Sequence, residues 1–359
     1  MPTRVFPFPT RCIALTAALL ALIALAGLRA PAPAAAQEPA VDNGAVVVMY
    51  HRFGDGRYPS TNITLEQFEA HLTELQKDKY TVMALPEIVA ALREGRSLPD
   101  YAVAITVDDA YASFWNEAVP RLQQAGFPFT LFVATEPVDQ GRGDYMSWDQ
   151  LRELQAMELA TIGSQTHTHP HMPDLSKQAN LEELRTSQRR FQEELGAAPE
   201  LIAYPYGEYS NPVQAAARQV GFVAGFGQHS GAIGRTSDMF GLPRYAFNES
   251  FGDMERFRLA VNSLPLPATD VVPDDAKLTP DQNPPMYGFT VHPAVGGLNG
   301  LSCFASGRGK VPAQTIADQR VEVRLDEPFP PGRARINCTM PGPNNRWRWF
   351  GSQFYVSGN

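Results

Sequence analysis

Between residues 45 and 227 the chain alternates short apolar runs with amphipathic stretches. Apolar runs bounded by turn signals predict buried strands. They fall at residues 45–50, 102–107, 129–134, 159–163, 201–204 and 222–225. Helical spacing fills the gaps. Thr64 and Gln67 form a capping box ahead of Phe68, Leu72 and Leu75, and Ser147 and Gln150 form another ahead of Leu151 and Leu154. A charged amphipathic helix over 181–195 ends at Gly196, and Gly126 and Gly221 close two more. Repeated strand–helix units predict a parallel sheet, open or closed into a barrel.

The pattern changes after Leu264. Residues 265–285 are rich in Pro and Asp and read as a linker. Beyond them, residues 287–291, 321–325 and 346–356 alternate apolar and polar side chains between Pro and Gly clusters. This predicts a small antiparallel β domain over 286–359, sandwich-like in form. Alternation puts Trp347 and Trp349 on one strand face. Turned inward they are core, which is the expectation; turned outward they would offer sugar rings an aromatic platform.

Residues 1–36 read as a secretory leader. Arg4 and Arg11 precede an apolar stretch over 13–28, and Ala34-Ala35-Ala36 supplies an Ala-x-Ala cleavage pattern before Gln37. The mature protein is therefore expected to be exported, periplasmic or extracellular, with no stable membrane span. Loss of the leader's three arginines moves the net charge from −8 to about −11. Such a chain lacks the basic footprint that nucleic acid or an anionic membrane surface requires. Of three cysteines, Cys12 leaves with the leader. Cys303 and Cys338 remain in the β domain and are expected to pair in an oxidising compartment.

The chemistry gathers at strand ends. The run 102–107 stops at two adjacent acids, Asp108 and Asp109. The C-terminal ends of parallel strands are where barrels and open α/β sheets carry their sites. Neighbouring side chains diverge there, so one acid can bind a metal while the other acts as a base. The strand at 159–163 runs into Ser164-Gln165-Thr166-His167-Thr168-His169-Pro170-His171. Imidazoles beside a carboxylate suit zinc or a similar divalent ion. Tyr204-Pro205-Tyr206-Gly207 follows another strand, and Gly207 allows a close backbone turn past a ligand. Tyr204, Pro205, Gly207 and Arg244 are candidates for substrate contact. His51 closes the first strand and is placed to act as a general acid.

These strings resemble the polysaccharide deacetylase family, carbohydrate esterase family 4, over roughly residues 45–265. Residues 106–110 look like its Thr-Phe-Asp-Asp-Gly motif, 164–170 like Ser-His-Thr-x-x-His-Pro, and 205–207 like the end of Arg-x-Pro-Tyr-Gly. The early His51 strand and the Tyr-Pro-Tyr-Gly-Glu string look more like the subgroup that acts on poly-N-acetylglucosamine. The resemblance implies a distorted (β/α)7 barrel over 45–264 and metal-assisted removal of acetyl groups from an N-acetylated polysaccharide. It would make Asp108 the general base, Asp109 and His169 metal ligands, Tyr206 part of the oxyanion hole and His51 the proton donor to the leaving amine.

The sequence departs from the family pattern at four points. Gln165 stands where the family has a ligand His, which leaves the third ligand to Gln165, His167 or His171. Ala110 replaces a Gly. Ala203 stands where many members have an Arg that orients the base. A late Leu-His motif is absent. Gln165 sustains a second reading, a glycan-binding protein without hydrolysis. A third is a deacylase for a small amide or ester.

Overall fold

The computed structural model describes residues 1–6, 41–317 and 319–358. The expected leader lies, from residue 7 onward, outside the described residues. Residues Met1–Glu38 and Pro39–Asn359 are separate units, and the second holds all the strands and helices described.

Six strands set out the site: β1 (Gly44–Tyr50), β2 (Ala102–Asp108), β3 (Phe129–Val133), β4 (Ala160–Ser164), β5 (Leu201–Ala203) and β6 (Ala224–Phe226). They pair in parallel in that order. β1 and β2 are buried along almost their whole length, which explains their unbroken apolar sequence. β7 (Tyr245–Ala246) returns parallel to β1, and Ile233–Gly234 pairs with β1 antiparallel. The result is a curled parallel half-barrel with helices between its strands. It is the α/β architecture expected from the sequence.

Local signals hold at the helix ends. Both capping boxes form, at Thr64 and Ser147, and the helix Lys177–Leu195 stops at Gly196 with φ 73°. Helix Leu65–Leu75 buries His71 flat against Phe257, with ring centroids 3.8 Å apart.

The C-terminal region is built from two sheets that share one apolar core, including Tyr287, Phe289, Val321, Ile336 and Phe354. One holds β8 (Ser302–Ala305), β9 (Gly332–Pro341) and β10 (Trp347–Val356) in antiparallel pairing. Cys303 and Cys338 lie directly opposite on β8 and β9 and are disulfide-bonded. Residues 265–285 differ from the expected linker. Leu264–Pro265 and Lys277–Leu278 add to the β10 edge, and Ala268–Val272 adds to the second sheet. Pro and Asp there mark tight connections between short strands, not an untethered link.

The two tryptophans also differ from expectation. Trp347 is 42% exposed, and Trp349 packs edge-on against Tyr245 of the half-barrel. The alternate residues Arg346 and Arg348 are the buried ones. Arg346 bonds the Asn262 and Ser263 carbonyls, and Arg348 pairs with Asp42. Alternation located one face correctly but could not say that both faces of this strand are contacted. Among the described residues, no helix is long and apolar enough to cross a membrane.

Candidate active site

Three site loops leave the C-terminal ends of β2, β4 and β5 through left-handed backbone. Asp109, Ala110, Thr166, His169 and Tyr206 all have φ between 55° and 75°. For non-glycine residues this conformation costs about 1–2 kcal/mol each, and it concentrates where a site demands it. The turns swing side chains into one mouth. Gly207 is required: at φ 73° an added Cβ would sit 2.4 Å from the Gln228 nitrogen.

Asp108 has no exposed surface. Arg244, equally buried, donates two hydrogen bonds to it, at 2.6 and 2.8 Å. Arg244 Nε donates to the Gly227 carbonyl at 3.0 Å. The charge of a buried carboxylate is offset here by a fork-shaped donor, the geometry that binds carboxylates most firmly. Gln228 Nε2 reaches Asp108 Oδ2 at 3.4 Å, and His51 Nε2 stands 3.9 Å from the same oxygen. His51 lines the open cleft. Asp108 and His51 are thus brought together, with His51 on the solvent side.

Asp109 Oδ1 lies 3.5 Å from His169 Nε2, and both line the cleft. That spacing suits two ligands of one tetrahedral ion, whose bonds would be about 2.0–2.2 Å long. The third donor is missing. Gln165 is fully buried; its Oε1 accepts from the Asp109 backbone N–H at 2.9 Å, and its Nε2 has no partner. His167 turns to Thr135 Oγ1 at 2.7 Å, and His171 to Glu208 Oε2 at 2.6 Å. Among the described residues no group of three His, Cys, Asp or Glu side chains could hold a metal. The residues present therefore do not fit a metal site with three protein ligands. The histidine cluster read from sequence is split three ways because alternate residues of the loop face different neighbours.

Residues 95–225 match the sequence model of polysaccharide deacetylases. The chain carries a polysaccharide deacetylase domain. It is similar to YxkH of Bacillus subtilis, 27% identical over 198 residues, 55% of this chain and 69% of that protein. It is also similar to the poly-β-1,6-N-acetyl-D-glucosamine N-deacetylase of Staphylococcus aureus, 22% identical over 58% of this chain and 80% of that one. In fold it resembles the structure of IcaB from Ammonifex degensii, with a TM-score of 0.55, 24% identity, and coverage of 61% of this chain and 97% of that one.

In the deacetylase domain Tyr206 is half-buried, between the buried Pro205 and Gly207. Its ring stacks on His171 at 4.3 Å and meets His169 edge-on at 4.6 Å. Burial, then the nearby Asp109 charge, pushes its hydroxyl above the usual phenol range. Burial likewise raises the Glu208 carboxyl, against the pull of the His171 bond. Tyr204, Pro205 and Gly207, expected to touch substrate, are buried beneath this loop. Arg244, also expected to touch substrate, is the buried partner of Asp108. It supplies from a distant position the guanidinium that Ala203 lacks. Sequence reading missed Gln228, although Gly227-Gln228-His229 follows β6 as the other motifs follow their strands.

The cleft encloses about 770 Å³. Its opposite wall is not part of the half-barrel. Phe304, Ser306, Arg333, Arg335 and Trp349 come from the C-terminal sheet. Arg333 donates to the Tyr206 carbonyl at 2.7 Å and to Gln228 Oε1 at 2.9 Å, so this sheet also holds the Tyr206 loop.

Proposed function

We propose that the protein is an exported N-deacetylase that hydrolyses the acetamide of an amino sugar within a polysaccharide. The convergence of Asp108, His51, Asp109, His169 and Tyr206 on one cleft of a polysaccharide deacetylase domain carries this reading. Export is supported by the leader-like N-terminus and by the disulfide, which belongs to oxidising compartments.

In this mechanism Asp108 Oδ2, the oxygen facing His51 and Gln228, takes the proton of the attacking water. Gln228 must give way for that water, because Asp108 has no accessible surface. Arg244 fixes the carboxylate throughout. The amides of Gly207 and Glu208 are committed to the Tyr204 and Pro205 carbonyls, so Tyr206 N–H is the one left in this turn to face the developing oxyanion. His51 gives a proton to the leaving amine. Zinc finds two donors here instead of three, so no step is assigned to it.

That incomplete donor set favours a second reading, a glycan-binding protein. Acetate release from β-1,6-linked N-acetylglucosamine oligomers, with and without a chelator, separates the two. The first reading expects acetate from the wild type and a loss of about 100-fold or more in Asp108→Asn. Undiminished release by Asp108→Asn would overturn the mechanism. Oligomer binding with no acetate from neutral or acidic oligomers would establish the second reading.

A further inference from the structure

We propose that the cleft contains a subsite for an anionic sugar, so that the polysaccharide deacetylated here bears carboxylate or phosphate groups. This rests on the reading of the site as a deacetylase and narrows its substrate class.

β9 presents its two faces to different surroundings. Ala334, Ile336 and Cys338 point into the sandwich core, so Arg333, Arg335 and Asn337 point the other way, into the cleft. Arg333 is engaged by the Tyr206 loop. Arg335 is not: among the described residues its side chain has no hydrogen-bond or ion-pair partner, and its Nε is buried. Arg256, on helix Met254–Val261, lines the same cleft. Its Nε is buried and unpartnered too, and its guanidinium rests near the Phe251 ring, 5.1 Å from the centroid. No carboxylate lies within ion-pair distance of either group among the described residues.

Arg335 and Arg256 are half-buried, and a buried guanidinium N–H such as the Nε of each is normally paired, because leaving a donor unsatisfied is costly. Burial lowers the affinity of both for their protons, and at Arg335 the neighbouring Arg333 adds to the effect. Glu208 stands 3.9 Å from Arg333 Nε and offsets that arginine, so Arg335 and Arg256 face one carboxylate of the cleft lining, Asp109, since Asp108 lies behind and is matched by Arg244. This local excess of positive charge occurs in a chain with a net charge of −8. The general acidity of the chain therefore does not explain it.

The arginine fork matches carboxylate and phosphate oxygens. Phe304, 41% exposed and paired across the sheet with Asn337, offers a ring face beside it. The direction of the chemistry agrees. Deacetylation turns a neutral amide into a cationic amine, so a neutral homopolymer would become a polycation that this wall repels. A neighbouring acidic sugar removes that conflict.

The test uses the full mature chain and three probes: chitotetraose, a tetrasaccharide alternating N-acetylglucosamine with glucuronate, and a phosphate-bearing N-acetylglucosamine oligomer. Binding is measured by calorimetry at low and high salt, and acetate release is measured alongside. At least one acidic probe should bind about tenfold tighter than chitotetraose, the gain of one well-formed charge-assisted contact, and salt should erode the difference. The tighter of the two acidic probes identifies the anion. Arg335→Gln and Arg256→Gln should each bring the acidic-to-neutral ratio toward one, with melting curves showing that both variants are folded. Equal affinity for neutral and acidic probes overturns the subsite. If acetate is still released in that case, the deacetylase reading stands without it. Tight acidic binding without acetate from any probe would sink the deacetylase reading and leave the subsite standing.

Discussion

Arg244 is where a residue's role and its place in the sequence are furthest apart. It lies 136 positions from Asp108, yet the two form a fully buried pair. Breaking such a pair strands a charge in the interior, which costs about 3–5 kcal/mol. Arg244→Met should therefore lower stability by that amount in urea titration and should also abolish acetate release. A loss below about 1 kcal/mol would mean that Asp108 finds other compensation. Asp108 itself was legible, because two acids at the end of an apolar run are conspicuous. Its partner was not, since nothing local marks a lone arginine as the complement of a distant acid. Gln165 is the reverse case. The sequence marked it as a departure, and the structure shows what the amide does instead: it holds the Asp109 backbone. Gln165→His should supply a third ligand, a second imidazole, beside Asp109 and His169. Zinc affinity measured by equilibrium dialysis should then rise at least about tenfold over wild type. Unchanged affinity would show that the ring cannot reach the ion.

At the scale of elements, the parallel strands and both capping boxes were readable because period, caps and turn residues agree at each of them. Residues 265–285 and the Trp347–Trp349 strand were misjudged for a common reason. Their surroundings are set by contacts between the half-barrel and the C-terminal sheets, and neither composition nor alternation reports on those. Helix Leu65–Leu75 shows a further consequence of packing. His71 Nε2 donates to the Gly252 carbonyl, and Nδ1 accepts from the Tyr50 hydroxyl, both at 2.9 Å, so a second proton on Nδ1 would break the bond from Tyr50. Burial drives its pKa down to about 4. His229 is pushed down to about 3 by burial, then by Arg335 and Arg244. Both folded values lie below the unfolded value near 6.5, so the unfolded chain binds more protons on acidification. Stability should be full above pH 6.5 and fall between pH 6 and 4 by about 1.4 kcal/mol per pH unit for each histidine. Urea titrations across this range measure the slope. His71→Leu should lower stability at pH 7 yet remove one proton's worth of slope; an unchanged slope would show that His71 is already protonated in the fold.

For the whole molecule, the decisive relation is that the cleft has two walls from two parts of the chain. The half-barrel brings the reacting groups, and the C-terminal sheet brings Arg333, Arg335, Phe304 and Trp349. The disulfide lies in that second wall, joining β8 and β9, the strands that carry Phe304, Arg333 and Arg335. With a sequence separation of 35 residues, its loss should release about 3–4 kcal/mol of unfolded-state constraint. Reduction should therefore lower the urea midpoint, and the Cys303→Ser, Cys338→Ser double variant should reproduce the shift without reductant. The effect on function is more specific than on stability. Asp108, Arg244 and His51 all belong to the half-barrel side and stay in place while that side is folded. The Tyr206 carbonyl, held by Arg333, does not have that independence. At urea concentrations well below the midpoint, reduced protein should show a raised KM for oligomers, together with a lowered kcat as the Tyr206 turn loosens. Kinetics identical in reduced and oxidised protein would mean that the β sheet keeps its face without the bond, and that the wall is held by its packing against the half-barrel alone.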